Sequence, residues 1–313
     1  MNFTIIIPLY NEAKNISLLN KELTSALIKI KKKNIHKFEI IYVEDGSTDN
    51  TFNILRKIKN KVETKIIKNN SNLSQSDAIL NGLGLSKFEN IILLDGDLQS
   101  DPKDIIKLVN KYEKGYDLVH GNRRNRKDAY FSKILPSKIA NFFVRLFTNS
   151  NISDHGCALK VFKKDLIIKN NFFGDFHRLM AAQIESSNSK ISEIDVNHRP
   201  RKYGTSNYGM ERISKILIDI IFVKFLKDNK PYYIFGKLGL FSFVFSLITF
   251  GYMTYLKFFG NKTFIETPLP ILVIFLTLSG LIFFSLSLFT EVILSKISFE
   301  KSKSINYKIY KLN

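Results

Sequence analysis

Two stretches near the C-terminal end of the chain carry no charged residue. Leu238–Leu256 reads LGLFSFVFSLITFGYMTYL and Thr267–Thr290 reads TPLPILVIFLTLSGLIFFSLSLFT. A helix needs about 20 predominantly apolar residues to cross a bilayer core. Runs of this kind have two destinations, a bilayer or the interior of a soluble core. The short polar link Lys257–Glu266 favours the first, as a hairpin of transmembrane helices at about 236–257 and 268–292 within a 230–295 segment. The basic tail that follows, 296–313, holds Lys296, Lys301, Lys303, Lys308 and Lys311 against Glu300 alone. Positive charge beside a span marks the cytoplasmic side. The expected arrangement is therefore a multi-pass protein of the cell (inner) membrane, with tail and N-terminal domain both cytoplasmic. The start, MNFTIIIPLYNE, has no basic segment or cleavage site and reads as a first strand rather than a signal peptide.

Charge adds to this picture. Of 313 residues, 47 are Lys or Arg and 28 Asp or Glu, a formal balance of +19. Such an excess suits a polyanion, either nucleic acid or an anionic membrane lipid surface. No recognition helix or aromatic RNA-binding motif is present, so nucleic acid is not expected. Glu211–Lys227, ERISKILIDIIFVKFLK, sets Arg212, Lys215 and Asp219 on one side and Ile213, Ile216, Leu217, Ile220 and Phe225 on the other. This predicts an interfacial amphipathic helix over 211–229; a helix packed on the globular domain is the alternative. The single cysteine, Cys157, excludes an intrachain disulfide.

Residues 1–210 alternate between two periodicities. FTIIIP (3–8), FEIIYVE (38–44), TKIIK (64–68), NIILLD (90–95) and DLVHG (117–121) are short and mostly apolar, as strands covered on both faces are. Between the first two, Ile16, Leu19, Leu23, Leu27 and Ile30 follow helical spacing. The pattern predicts an α/β domain with a Rossmann-like, mainly parallel sheet flanked by helices. Ligands of such sheets bind beyond the carboxyl ends of the strands. There the stretch ILLDGDLQSDP ends an apolar run in Asp95, Asp97 and Gln99, while Asp101-Pro102 reads as a helix start. Carboxylates this close repel unless a cation lies between them. Oxygen ligands without imidazole or thiolate select Mg²⁺ or Mn²⁺; a polar loop with capping aspartates is the plainer reading. The second strand runs into VEDGSTDNT, with Asp45 at its end, Gly46 in the turn and Ser47, Asp49 and Thr51 as helix caps. The first ends in IPLYNE, bringing Pro8, Tyr10, Asn11 and Glu12 to the same edge.

In order, IPLYNE, VEDGSTDNT, LLDGDLQSDP, GNRRNR (121–126), DHGCALKVF (154–162), GDFHR (174–178) and HRPRKYGTSNYG (198–209) resemble the motif series of family-2 inverting glycosyltransferases with the GT-A fold, in their polyprenyl-phosphate branch. The resemblance spans about residues 1–230, and the C-terminal hairpin recurs in that branch. It implies that Asp95, Asp97 and Gln99 hold the metal and the diphosphate. Pro8, Tyr10, Glu12, Val43 and Asp45 would form the nucleoside pocket. Arg123 and Arg201 would meet phosphates, a role suited to planar guanidinium forks. Asp97, Asp154, Arg123 and Arg201 would be the catalytic set, with Asp154 the family's base. The implied substrates are a UDP- or GDP-linked sugar and a polyprenyl (undecaprenyl or dolichyl) phosphate, and the apolar helices offer a surface for homo-oligomers. Asn207 stands where the family often has lysine, leaving Lys202 as a substitute. NNSNLSQSDAILNG (69–82) replaces a glycine-rich donor loop. A phosphate monoester has a second pKa near ~6, so the attacking oxygen needs little help from a base. A processive polysaccharide synthase shares the opening motifs but needs a tryptophan-bearing segment, and the chain has no Trp. A catalytically inactive membrane scaffold is the remaining alternative.

Overall fold

A computed structural model describes the chain apart from residues 34–35, 125–134, 149, 170–175, 186–188, 204–230, 261–262, 301–306 and 313. The helix expected over 211–229 lies outside the described residues. The chain forms two compact units, one holding the N-terminal strands and helices together with the last strand, the other the two long helices.

In the first unit the elements run β1 (Asn2–Leu9), α1 (Ala13–Lys33), β2 (Lys37–Glu44), α2 (Thr51–Arg56), β3 (Glu63–Asn69), α3 (Gln75–Leu85) and β4 (Asn90–Leu93). A 3-10 turn (Pro102–Asp104) leads into α4 (Ile105–Tyr112), β5 (Leu118–Asn122), α5 (Leu135–Thr148), β6 (Lys160–Lys163), α6 (Asp165–Lys169), α7 (Phe176–Glu185) and β7 (Ile191–Asp195). The sheet order is β7-β5-β6-β4-β1-β2-β3-β8, where β8 is Tyr307–Leu312. β1 pairs in parallel with β2 and β4, and β2 with β3. β6 runs antiparallel between β4 and β5. The mainly parallel sheet read from the sequence is thus present, with antiparallel β6 as an addition.

Strand periodicity explains how the sheet is covered. Ile5, Ile7, Ile40 and Tyr42 join one core cluster with Ile16, Leu19, Leu23, Leu27 and Ile30 of α1. Their neighbours Ile6, Ile41 and Val43 join a second cluster with Ala78, Ile79 and Leu83 of α3. Successive side chains of a strand point to opposite faces, so a near-continuous apolar run is what a sheet sandwiched by helices requires.

The second unit consists of α8 (Pro231–Phe259) and α9 (Leu269–Glu300). Tyr233–Phe259 and Leu269–Thr290 are each long and apolar enough to cross a membrane. The helices approach closely where side chains are small. A Cβ on Gly239 would lie 3.1 Å from the carbonyl oxygen of Gly280. The Ser246 hydroxyl lies 2.8 Å from that of Thr277 and donates to the Val273 carbonyl at 3.2 Å. Small residues and hydroxyl bonds are how helices associate in lipid, where apolar burial offers no driving force.

The end of the chain departs from a simple basic tail. Tyr307–Leu312 pairs antiparallel with β3, from Thr64↔Leu312 to Asn69↔Tyr307. Tyr310 packs edge-on against Phe52 at 5.2 Å between ring centres, and Arg56 lies 5.9 Å from the Tyr310 ring. Lys308 and Lys311 flank Ile309 and Tyr310, and charge along an edge strand discourages further pairing. Removing residues 305–313 would uncover the β3 edge and the Phe52 face. The truncated protein is expected to melt at least about 5 °C lower and to self-associate with rising concentration in detergent. Unchanged melting and elution would contradict this role for β8.

Candidate functional site

The residues singled out from the sequence gather at the carboxyl ends of β1, β2 and β4. β4 leads through Leu94, whose N–H donates to the Ile6 carbonyl at 3.1 Å, into Asp95-Gly96-Asp97. A Cβ on Gly96 would come within 2.2 Å of the Leu9 side chain, so a larger residue there would require Leu9 to shift. Leu98 takes a positive φ of 63°, a strained conformation for a branched side chain. The Asp97 carboxylate accepts from the Gln99 N–H at 3.0 Å and from the Arg201 guanidinium at 2.7 Å. Asp95 accepts from the Gln75 side chain at 2.9 Å. Burial, and then the charge of Asp97, push the Asp95 carboxyl up to about 7; Lys160 and Arg123 act in the opposite sense.

The neighbouring loops are sewn together by side chains. Asn11, at a positive φ of 55°, donates its N–H to the Ser47 hydroxyl oxygen at 3.0 Å, and its side-chain amide oxygen accepts from the N–H of Thr48 at 2.9 Å. Asp49 accepts from Ala13 N–H at 3.1 Å and Thr51 N–H at 2.9 Å. α2 starts with Asn50 at its cap position and no side-chain capping bond. Asp49 therefore satisfies the first N–H of that helix while bracing the neighbouring loop, whereas Ser47 only braces, a correction to the sequence reading of Ser47. Asp45 accepts from Asn69 at 2.7 Å and from Leu73 N–H at 3.2 Å. Burial raises its carboxyl above the ordinary range. Gly46 has φ +68°, and a Cβ there would fall 2.4 Å from the Asn72 nitrogen. The 69–73 loop thus rests directly on the VEDG turn. Burial likewise raises Glu12, which hydrogen-bonds Asn15 and feels the charges of Asp97 and Arg201. Tyr10 is exposed and Pro8 half-buried at this edge, whereas Val43 is fully buried. Val43 faces the α3 side of the core, so its side chain has no open surface toward a pocket.

Arg123 and Asp154 form a second, self-contained pair. Arg123 Nε donates to Asp154 Oδ2 at 2.7 Å and Nη2 to Oδ1 at 2.8 Å. Glu193 on β7 holds the other side, accepting from the N–H of Ser153 at 2.8 Å and of Asp154 at 3.2 Å. The two arginine bonds hold the Asp154 carboxyl far below the ordinary carboxylate range in spite of its burial. An arginine expected at a phosphate is thus bound to the carboxylate expected to be a base. Burial lowers His155 to about 4 and Lys160 to about 8; His155 is neutral at pH 7. The Lys160 ammonium donates to the His177 carbonyl at 3.1 Å.

Gln99 follows the acidic pair by two residues. Its amide nitrogen lies 3.4 Å from both the His198 ring and the Arg199 carbonyl, which ties it to the 198–199 segment. Asp95 and Asp97 are left as the paired carboxylates. Among the described residues no group of three or more His, Cys, Asp or Glu side chains could hold a metal by itself. Two mutually repelling carboxylates, with the remaining ligands left to phosphate and water, nonetheless fit Mg²⁺ or Mn²⁺. Asn69, Gln75, Lys160 and Arg199 lie inside the quoted stretches but nothing in the sequence singles them out there, and Glu193 lies in none of them.

Comparison with known proteins agrees with this geometry. Residues 4–170 match Glycosyl transferase family 2, and the chain belongs to that family. It is 29% identical to dodecaprenyl-phosphate galacturonate synthase of Rhizobium johnstonii over 98% of this chain and 91% of that protein. It is 32% identical to undecaprenyl-phosphate 4-deoxy-4-formamido-L-arabinose transferase of Pectobacterium atrosepticum over 70% of this chain and 66% of that protein. Among solved structures it matches mannosyl-3-phosphoglycerate synthase from Rubrobacter xylanophilus with a TM-score of 0.56 at 12% identity, covering 73% and 75% of the two chains. It also matches glucosyl-3-phosphoglycerate synthase from Mycobacterium tuberculosis, solved with Mn²⁺, UDP-glucose and phosphoglyceric acid, with a TM-score of 0.51 at 14% identity, covering 70% and 77%. The first unit has the GT-A fold.

Two outcomes follow from the electrostatics. An ion binding Asp95 must displace its proton below about pH 7. Mn²⁺ affinity, read by paramagnetic resonance of the free ion, should climb up to about tenfold per pH unit below that point and flatten above it. A plateau reached near ~pH 5, as for an ordinary aspartate, would contradict the raised carboxyl. Arg123→Met should cost about 3 kcal/mol at neutral pH, because it strands a buried carboxylate. Arg123 holds the folded Asp154 carboxyl low. Its contribution is therefore complete above the ordinary range and is lost on acidification, so the stability gap should narrow as pH falls.

Proposed function

We propose that this family-2 enzyme is a membrane-anchored inverting glycosyltransferase that moves a sugar from a nucleotide-sugar to a polyprenyl phosphate. The observation that carries the reading is the Asp95–Asp97 pair, closed by Arg201 and flanked by the braced Glu12 and Asp45 loops. It is supported by the relatives, whose names specify dodecaprenyl- and undecaprenyl-phosphate, and by the two membrane-capable helices.

In this reading Asp95 and Asp97 would hold Mg²⁺ or Mn²⁺, which would supply positive charge for the leaving diphosphate. Tyr10, Glu12 and Asp45 border the nucleoside, with Pro8 and the backbone at Val43 beneath. Arg201 passes from Asp97 to a phosphate as the donor enters. The acceptor phosphate oxygen attacks the anomeric carbon, the nucleoside diphosphate leaves, and the configuration inverts. Asp154 works as an orienting anion rather than a base. Its fork to Arg123 keeps it ionised and too weak to take a proton, and a phosphate with a second pKa near ~6 needs none removed. Arg123 reaches the acceptor through its exposed edge while Asp154 fixes its plane. Positioning of this kind contributes about 7 kcal/mol or more when geometry is ideal.

The anchoring has a topological consequence. β8 follows α9 in the chain, yet pairs with β3, which precedes α8. Two strands of one sheet lie on one side of a membrane, so the chain between them crosses an even number of times. We infer two crossings at the inner membrane. The basic balance of the chain favours the cytoplasmic face and an anionic lipid surface, and the apolar helices are the surface for self-association.

Membranes carrying the protein, incubated with a panel of radiolabelled UDP- and GDP-sugars, should place label in an organic-extractable, mild-acid-labile product. Asp97→Ala should lower that transfer by at least about 10²-fold, the scale of a lost charge-stabilising group. Label entering only a long polymer, or an Asp97→Ala variant with full transfer, would sink the reading. A tag in the 261–262 link should be accessible from the face opposite to a tag placed after residue 313. Accessibility of both from one face would refute two crossings.

A further inference from the structure

Four of the five residues that end in Arg201 are attached to the segment Asp97–Asp104, and Arg199 carries most of the attachment. Its Nη1 donates to Glu22 of α1 at 2.6 Å and its Nη2 to Asp101 at 2.8 Å. Its backbone N–H donates to the Gln99 carbonyl at 2.8 Å. Around it, Asn197 donates from Nδ2 to Asp104 at 3.2 Å, and His198 bridges Ser100 in an antiparallel pair. Two residues further on, Arg201 reaches Asp97 at 2.7 Å. Asp101 is also the cap of the 3-10 turn, accepting from Lys103 N–H at 3.0 Å.

We propose that Arg199 is a positioning residue for the transfer reaction: its guanidinium joins α1 to the turn after Asp97 and so sets where Arg201 stands. The reasons are geometric. A guanidinium offers donors in a fixed planar fork, so it can face two carboxylates from different elements at once, which an ammonium on a flexible stem does less well. Pro200 follows directly and fixes its own φ, leaving few free torsions between the clamp and Arg201. Arg199 touches neither Asp95 nor Asp97 in the described contacts, so its effect on chemistry passes through Arg201. The proposal rests on Arg201 acting on the departing diphosphate, as set out above. A surface ion pair would contribute little to stability. Arg199 is 30% exposed and Glu22 27% exposed at the side chain, so the folded chain should survive the loss of the clamp.

The test is a kinetic cycle on the full-length protein in detergent, with Arg199→Met, Arg199→Lys, Arg201→Met and the double variant. Arg199→Met should lower kcat by about tenfold or more while the donor KM moves less than about threefold, the pattern of an interaction expressed in the transition state. Arg199→Lys should recover part of that loss. The double variant should be no slower than Arg201→Met alone, within about twofold, because residues acting as one unit are not additive. Losses that simply add, or an Arg199→Met variant with unchanged kcat, overturn the proposal. Hydrogen–deuterium exchange at the 197–201 amides separates its failure from that of the functional reading. If the wild-type chain transfers no sugar to lipid phosphate, the reading falls. Faster exchange in Arg199→Met then still upholds the clamp, and unchanged exchange overturns it.

Discussion

Electrostatic repulsion between Asp95 and Asp97, imposed at the end of a buried strand, is the constraint on which the rest of the site depends. The two carboxylates are separated by a glycine that lies against Leu9, which keeps their backbones close together. The protein answers with fixed cations and donors: Arg201 on Asp97, Gln75 on Asp95, and the buried Lys160 acting from a distance. A pair held this way has one carboxyl poised near neutrality. In the proposed function, that carboxyl would give up its proton to a divalent ion.

The second charge pair follows a different logic. Arg123 and Asp154 satisfy each other through two nearly parallel bonds, and Glu193 anchors the loop behind them. Burying such a pair is tolerated only when geometry is good and remaining lone pairs are satisfied. The result is a rigid, ionised unit rather than a titrating one. A lipid phosphate supplies its own anionic oxygen, so orientation is what remains for the protein to provide. The same economy appears in the loops after β1 and β2, where Asn11, Asp49 and Thr51 use side chains to hold backbone in place. Preorganised dipoles cost no rearrangement at the moment of reaction.

The last strand closes the sheet on one side. β8 covers the β3 edge that would otherwise be open to pairing with another chain, although it follows the two apolar helices in the chain.

The sequence by itself determined the parallel α/β architecture, the two apolar helices and the acidic strand ends. These are encoded in local periodicity and composition: a near-continuous apolar run in Phe3–Pro8, period 3.6 from Ile16 to Ile30, and charge-free runs of bilayer length. It also placed Asp95, Asp97, Asp45 and Glu12 at one edge, because parallel strands present their carboxyl ends together. Only the tertiary structure decided which cation meets which carboxylate. Arg123 and Asp154 are 31 residues apart, and Arg201 and Asp97 are 104 apart. No local pattern distinguishes a guanidinium facing substrate from one facing a carboxylate. The same holds for β6, whose antiparallel insertion depends on what lies beside it, and for β8, whose lysines read as a solvated tail until β3 supplies an edge to pair with. Pairing of this kind is set by packing over long separations, and its physical cause lies in the partner rather than in the segment.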